Sequence, residues 1–268
     1  MGIISYGGGK FYLAPKLIEL IPPHHLYVEV FAGGANLLFT KERSGLEILN
    51  DLNRNLYALY KVLSEPLSYK KWSRKVRRFL ISRDIFNECK LQLQKDDIDI
   101  IDRAAIYYYL NRCSMFGMCT SFGISREKKR ATLYKDLKDA HKRLEGVIVE
   151  NKSFEKIIKI YDSPETFFYL DPPYVMETRT GGKMYDHEMT NEQHELLLDL
   201  LLNIKGKALL SGYDNQLYND KLSGWNKKKY EQLLQLGRNT MNGVNIQTRT
   251  EVVWYNYNLI DLFNQEGL

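Results

Sequence analysis

The chain has 268 residues, enough for one large core or for a core domain with a substantial insertion. With 44% hydrophobic and 26% charged residues, no apolar run of about 18 and no signal-peptide pattern in MGIISYGGGK, a soluble cytoplasmic protein is expected and a membrane role is not. Cys89, Cys113 and Cys119 are odd in number and lack CxxC spacing, so neither a disulfide framework nor a zinc site is indicated, and the net charge of +5 leaves a polyanionic partner open.

The first motif in the chain is GGGK, residues 7–10. A phosphate loop needs GxxxxGK followed by Ser or Thr, after a strand; Phe11 occupies that place and no strand precedes it, so nucleotide hydrolysis is not expected. LYVEVF (26–31) then reads as a buried strand, followed by FAGGAN (31–36) and a helical ANLLFTKER. Gly33 and Gly34 permit a tight turn close to a ligand, and the helix start offers backbone NH groups. A second strand, LEIL (46–49), ends in Asn50 and Asp51, where a carboxylate conventionally accepts from ribose hydroxyls, and NRNLYALYKVL continues as a helix. Together these indicate a nucleoside-bearing cofactor; glycine turns without ligands remain the plainer alternative.

Residues 58–145 interrupt the alternation of strand and helix. The stretch is helix-like and holds the aromatic run YYYLNRCSMFGMCTSFG (107–123). Residues 55–150 carry 20 Lys and Arg against 12 Asp and Glu, and the rest of the chain 18 against 21, so the basic excess is local. Its densest parts are YKKWSRKVRR (69–78), with Lys70, Lys71 and Arg74 and an interleaved Trp72, and REKKR (126–130), with Arg126 and Lys128. A solvated helix face explains either cluster alone; two in one segment favour a polyanion-binding module. Alternation then resumes with VIVE (147–150), FEKIIKIY, FFYL (167–170), NEQHELLLDLLLNIK, KALLSGY (207–213) and TEVVWYNY (250–257). The expected fold is α/β, a Rossmann-like doubly wound sheet over 1–57 and 146–268, with an inserted, mainly helical domain over 58–145.

FFYLDPPYVM (167–176) carries the chemistry. Four apolar or aromatic residues read as a central strand, and Pro172 and Pro173 must end it because neither has an NH to donate. Asp171 therefore stands at the carboxyl end of a strand, where ligands bind in open α/β sheets; a polar turn that merely ends the strand is the alternative.

SYGGGKFYL, EVFAGGANLLF, ILNDLN, YLDPPY and RTEVVWYNY, in that order, resemble the Dam-type, class alpha DNA adenine N6-methyltransferases, including bacteriophage members. The resemblance implies S-adenosylmethionine as methyl donor and double-stranded DNA as partner. It places Tyr6, Lys10, Phe31, Gly33, Asp51 and Asp171 at the cofactor and makes Asp171, Pro172 and Tyr174 the catalytic set. Adenine N6 is a poor nucleophile because its lone pair is delocalised. The Asp171 carboxylate and the Pro172 carbonyl, accepting from its two hydrogens, would localise that pair and aim it. Tyr174 would stack on the base, which must be flipped out to reach such a pocket.

For target recognition, family members that methylate GATC resemble NRYGYNGLCRYN where this chain has NRCSMFGMCTSF. Arg112 and Gly117 match, but Thr120 replaces a base-reading arginine, which counts against GATC. Met115 and Phe116 read either as an apolar wedge filling the space left by the flipped base or as packing inside the insertion. The segment after the motif, 175–189, reads as a flap or as an ordinary long loop, and Lys227 to Lys229 as phosphate contacts or solvated lysines. His187 and His194 do not form HExxH, so no metal is expected. An RNA adenine or cytosine N4 methyltransferase, or a catalytically silent DNA-binding relative, are the alternatives. No obligate protein partner is indicated.

Overall fold

A computed structural model describes residues 2–6, 10, 12–123, 133, 135–174, 189–235 and 246–259, the side chains at 116, 232–235 and 246–249 excepted. The chain divides into two compact units, Met1–Ile21 with Leu26–Ser153 and Pro22–His25 with Phe154–Leu268.

The first unit opens with α1 (Ala14–Ile18), begun by a proline in its first turn, then β1 (Leu26–Glu29), α2 (Asn36–Thr40) and β2 (Leu46–Asn50). Five helices follow: α3 (Arg54–Ser64), α4 (Pro66–Val76), α5 (Arg83–Leu93), α6 (Ile100–Arg112) and α7 (Lys138–Leu144), before β3 (Ile148–Glu150). The three strands pair in parallel in the order β3-β2-β1, Leu26 opposite Leu46 and Ile48 opposite Ile148. Asn50 ties their ends: its amide donates to the Val30 and Lys152 carbonyls and accepts from the Lys152 NH.

The aromatic run of α6 has a packing explanation. Arg103 to Asn111 are all buried, as in a helix surrounded by others, and α3, α4 and α5 each pack on it. Trp72 of α4 meets Tyr108 edge-on at 5.1 Å, and Phe79 stacks on Tyr109 at 4.7 Å. A buried ion triad joins β2 to α7: Glu47 lies between Lys41 and Arg143. Burial works against the Glu47 charge, yet the bonds from Arg143 and Lys41 win and hold its carboxyl below the ordinary range. For Lys41 burial, helped by the Arg143 charge, outweighs Glu47 and the smaller effect of Glu29 and holds its ammonium below the usual lysine value.

The second unit comprises α8 (Phe154–Tyr161), β4 (Thr166–Leu170), α9 (Asn191–Leu201), β5 (Lys207–Tyr213), α10 (Gln216–Lys221), β6 (Asn226–Gln235) and β7 (Ile246–Tyr255). Its strand order is β4-β5-β7-β6, β4 and β5 parallel and the other two pairs antiparallel. Every residue of β4 is buried, as its apolar run predicts. A capping box between Thr190 and Gln193 begins α9.

The α/β, Rossmann-like class is therefore as expected, with helices and parallel strands in alternation and an antiparallel hairpin at the end. The strand β6, which holds Lys227 to Lys229, has no counterpart among the strands expected from the sequence. NKKKYEQLLQ carries little strand propensity, but pairing with β7 recruits it, and lysines suit a strand at the end of the order. Lys227 and Lys229 reach Asp214 at 2.7 and 2.6 Å, and the Lys229 side chain is more than half exposed.

Candidate active site

In the first unit the predicted cofactor residues surround the turn after β1. Gly33 has φ +46°, a region that side chains rarely adopt, and a Cβ there would stand 2.8 Å from Tyr6 Cε1, so glycine suits the backbone and leaves room for the tyrosine ring. The second left-handed residue is Ala35 at +49°, not Gly34 as the paired glycines suggest. Asp51, half-buried past the end of β2, uses Oδ2 to accept from Gly33 NH at 2.8 Å and Oδ1 to accept from Asn53 NH at 2.8 Å. Tyr60 donates to the Gly33 carbonyl at 2.6 Å; burial pushes its hydroxyl well above the ordinary tyrosine value, with the Asp51 and Glu29 charges adding. That keeps it a neutral donor.

Phe31 and Tyr6 are half-buried, and Lys10 is buried with its carbonyl accepting the Leu13 and Ala14 NH groups that open α1. The start of α2 differs from expectation. Its Leu38 NH donates to buried Glu29 at 3.1 Å, so a protein carboxylate takes a donor that sequence reasoning left for an anionic ligand.

In the second unit, Asp171 follows β4 directly and is half-buried, with Pro172 buried and Pro173 half-buried after it. Ser211 of β5, fully buried, donates to Asp171 Oδ1 at 2.9 Å. A hydrogen bond to a carboxylate contributes about 1.5–3 kcal/mol, enough to fix which way the group faces. The Tyr218 hydroxyl, 2.9 Å from His194 Nδ1, is raised well above its ordinary value by burial and further by the Asp171 charge. Tyr174 is 8% exposed; its ring lies 4.3 Å from that of Tyr213, and its hydroxyl donates to Glu251 at 3.2 and 3.3 Å.

The predicted DNA residues fare differently from one another. Lys70, Lys71 and Arg74 are exposed on α4, whose other face buries Trp72 and Val76. Trp72 belongs to the core, so it is not interleaved with the exposed lysines and arginines of that helix. Lys71, Arg74, Lys75 and Arg78 line an open cleft of about 360 Å³ with the start of α6. Met115, in a 3-10 turn over Met115–Gly117, is 55% exposed. Arg112 donates to the Ile3 carbonyl at 2.8 Å, so part of its guanidinium is engaged by the chain itself. Arg126, Lys128 and the segment 175–188 lie outside the described residues, as does the side chain of Phe116. Among the described residues, no His, Cys, Asp and Glu cluster could hold a metal and no helix is long and apolar enough to cross a membrane.

The family description D12 class N6 adenine-specific DNA methyltransferase matches residues 6–250, a span holding both halves of this geometry. The chain belongs to that family. A similar protein is the type II methyltransferase M.MjaIII of Methanocaldococcus jannaschii, 25% identical, with 84% of this chain and 89% of that protein covered. Another is the DNA N-6-adenine-methyltransferase of Escherichia phage P1, 26% identical over 81% of this chain but only 31% of the phage protein. Solved structures with a loose likeness include a precorrin 8W decarboxylase from Methanobacterium thermoautotrophicum and an rRNA methylase from Streptococcus thermophilus. Their TM-scores are 0.38 and 0.34, their identities 11% and 10%, over 95% and 93% of this chain and 94% and 98% of theirs.

In this D12 methyltransferase, sequence reasoning missed Glu29, Asn50, Asn111, Ser211 and Glu251. Three of them shared a legible signal. Glu29 in LYVEVF, Ser211 in KALLSGY and Glu251 in TEVVWY each interrupt an apolar strand with a polar group, and a buried polar group must have partners.

Proposed function

We propose that this adenine-specific DNA methyltransferase transfers a methyl group from S-adenosylmethionine to N6 of an adenine flipped out of duplex DNA. The observation that carries the reading is Asp171: a half-exposed carboxylate at the carboxyl end of a fully buried strand, with one oxygen already held by Ser211.

The residues of the first unit fit the cofactor. Gly33 seats the Tyr6 ring, and Asp51 places a carboxylate past the end of β2, beside the same turn. When bound, S-adenosylmethionine supplies an electrophilic methyl group on a sulfonium. Tyr6, Phe31, Gly33 and Asp51 would hold it, with Lys10 shaping the segment that leads into α1.

The Asp171 carboxylate and the Pro172 carbonyl are the acceptors for the two N6 hydrogens. Drawing on both localises the nitrogen lone pair, and the proline pair stiffens the backbone that carries them. The carboxylate does not need to be a strong base, because the nitrogen becomes acidic only once it has been alkylated. Its proton is then lost along the hydrogen bond already in place. Tyr174, set by Tyr213 and Glu251, is the aromatic platform for the base, a contact worth about 1–3 kcal/mol. The basic face of α4 holds phosphate, residues 58–145 act as the target-recognition part, and Met115 and Phe116 enter the duplex.

The test is methyl transfer from labelled S-adenosylmethionine to matched DNA and RNA, followed by identification of the product nucleoside. N6-methyladenine in DNA alone is expected, and its loss in Asp171→Ala. Label in RNA or on cytosine N4 would refute the substrate assignment, and binding without any transfer would refute the catalytic one.

A further inference from the structure

The side chain of Asn111 makes three hydrogen bonds from a fully buried position at the end of α6. Its Oδ1 accepts from Ser5 NH at 3.0 Å, and its Nδ2 donates to the Ser5 carbonyl at 2.8 Å and to the Gly117 carbonyl at 2.9 Å. The amide thus pairs with Ser5 on both sides as a neighbouring strand would, and spends its remaining donor on the 3-10 turn. Gly117, at φ +75°, presses the same point: a Cβ there would come within 2.3 Å of the Ser5 carbonyl oxygen, so only glycine fits. Arg112 adds a bond to the Ile3 carbonyl at 2.8 Å. Residues 3–5 are therefore held by the end of α6 and by the turn that follows it.

Both neighbours of this corner matter. Tyr6 follows Ser5 directly and lies against Gly33. On the other side, Met115 and Met118 of the turn are 55% and 52% exposed, large apolar side chains presented to solvent. Asn111 hydrogen-bonds to both the turn and the cofactor segment, beside the close approach of Gly117 to Ser5 and the Arg112 bond to Ile3.

We propose that Asn111 is a positioning residue that couples the 115–118 turn to the cofactor segment, so that duplex DNA at the turn and S-adenosylmethionine at Tyr6 strengthen each other's binding. This rests on the reading of Tyr6 as a cofactor contact and of the turn as a DNA contact. Seating the turn against DNA fixes the Gly117 carbonyl, hence the Asn111 amide, hence Ser5 and the start of the Tyr6 backbone. Linkage makes the effect equal in both directions.

The experiment measures the affinity of sinefungin, a non-reactive analogue of S-adenosylmethionine, with and without sheared unmethylated duplex DNA. DNA should tighten sinefungin binding by about 5-fold or more, the lower end of common coupling factors. In Asn111→Ala each ligand alone should still bind, and the ratio should fall toward one. A parent ratio of one, or an unchanged ratio in Asn111→Ala, overturns the proposal. Hydrogen exchange on the unaltered protein gives a second readout that does not depend on the variant folding. The Ser5 amide should be slowed by DNA alone and the Gly117 region by sinefungin alone; protection that stays local to each ligand overturns the coupling. Failure of sinefungin to bind under any condition would instead sink the proposed function, and this inference with it.

Discussion

Replacing Ser211 with alanine removes one oxygen from β5 and leaves Asp171 in place. The hydroxyl is fully buried and lies 2.9 Å from Asp171 Oδ1, with the Leu170 carbonyl 3.3 Å away as its other neighbour. A hydrogen bond to a carboxylate contributes about 1.5–3 kcal/mol. If the orientation it imposes is needed where the amine lone pair localises, that energy appears in the barrier, and at about 1.36 kcal/mol per decade kcat falls roughly 10- to 150-fold. The affinities for cofactor and DNA should stay near those of the parent, since Ser211 is fully buried and offers no surface to either ligand. Single-turnover methyl transfer with saturating DNA and S-adenosylmethionine measures the chemical step directly. The control is the double variant: once Asp171 is changed to Asn, removing the Ser211 hydroxyl should cost little more, because the two act as a unit. A Ser211→Ala enzyme with the parent's single-turnover rate, or full additivity in the double variant, would refute the argument that Asp171 works by being held.

Gly33→Ala should raise the cofactor dissociation constant and lower stability by about 1–2 kcal/mol, because alanine is disfavoured in the left-handed region and its methyl meets the Tyr6 ring; calorimetric titration and urea unfolding check both. Neutralising Lys70, Lys71 and Arg74 together should weaken DNA binding and lower the slope of log affinity against log salt by about 0.9 for each phosphate no longer neutralised. A slope equal to the parent's would move the interface off α4. Glu47→Gln leaves Lys41 and Arg143, with side chains only 4% and 15% exposed, without their carboxylate, and should cost about 3–5 kcal/mol in urea unfolding. Because the Glu47 carboxyl is held below its ordinary 4.5 in the folded chain, its contribution is complete above that pH and is lost as the pH falls through the lower folded value. Acid unfolding of Glu47→Gln should accordingly show a shallower loss of stability across the carboxylate range than the parent.

Much of the architecture and of the site was legible from local patterns. FFYL followed by Asp171, Pro172 and Pro173 announces a buried strand and its stop, because burial on both faces needs a continuous apolar run and proline cannot continue a ladder. FAGGAN after a strand, with Asp51 at the end of the next, announces a tight turn in the same way, and Gly33 takes the left-handed conformation with its NH on Asp51. Trp72 within a basic run misled: chain spacing put an aromatic among cations, while the helix put it on the opposite face, 3% exposed. NKKKYEQLLQ was not legible as a strand, since a strand at the end of a sheet takes its conformation from its partner more than from its own residues.

What the sequence by itself determined are the features written in the backbone of a few consecutive residues: where strands stop, where a left-handed turn sits, and which carboxylates stand at strand ends. What only the tertiary structure decided is who holds those groups. Ser211 reaches Asp171 across 40 residues, Glu251 reaches Tyr174 across 77 and Asn111 reaches Ser5 across 106. Those pairings follow from strand register and close packing, in which a hydroxyl, a carboxylate or an amide buried by one segment must find its partner on whichever segment the fold lays beside it.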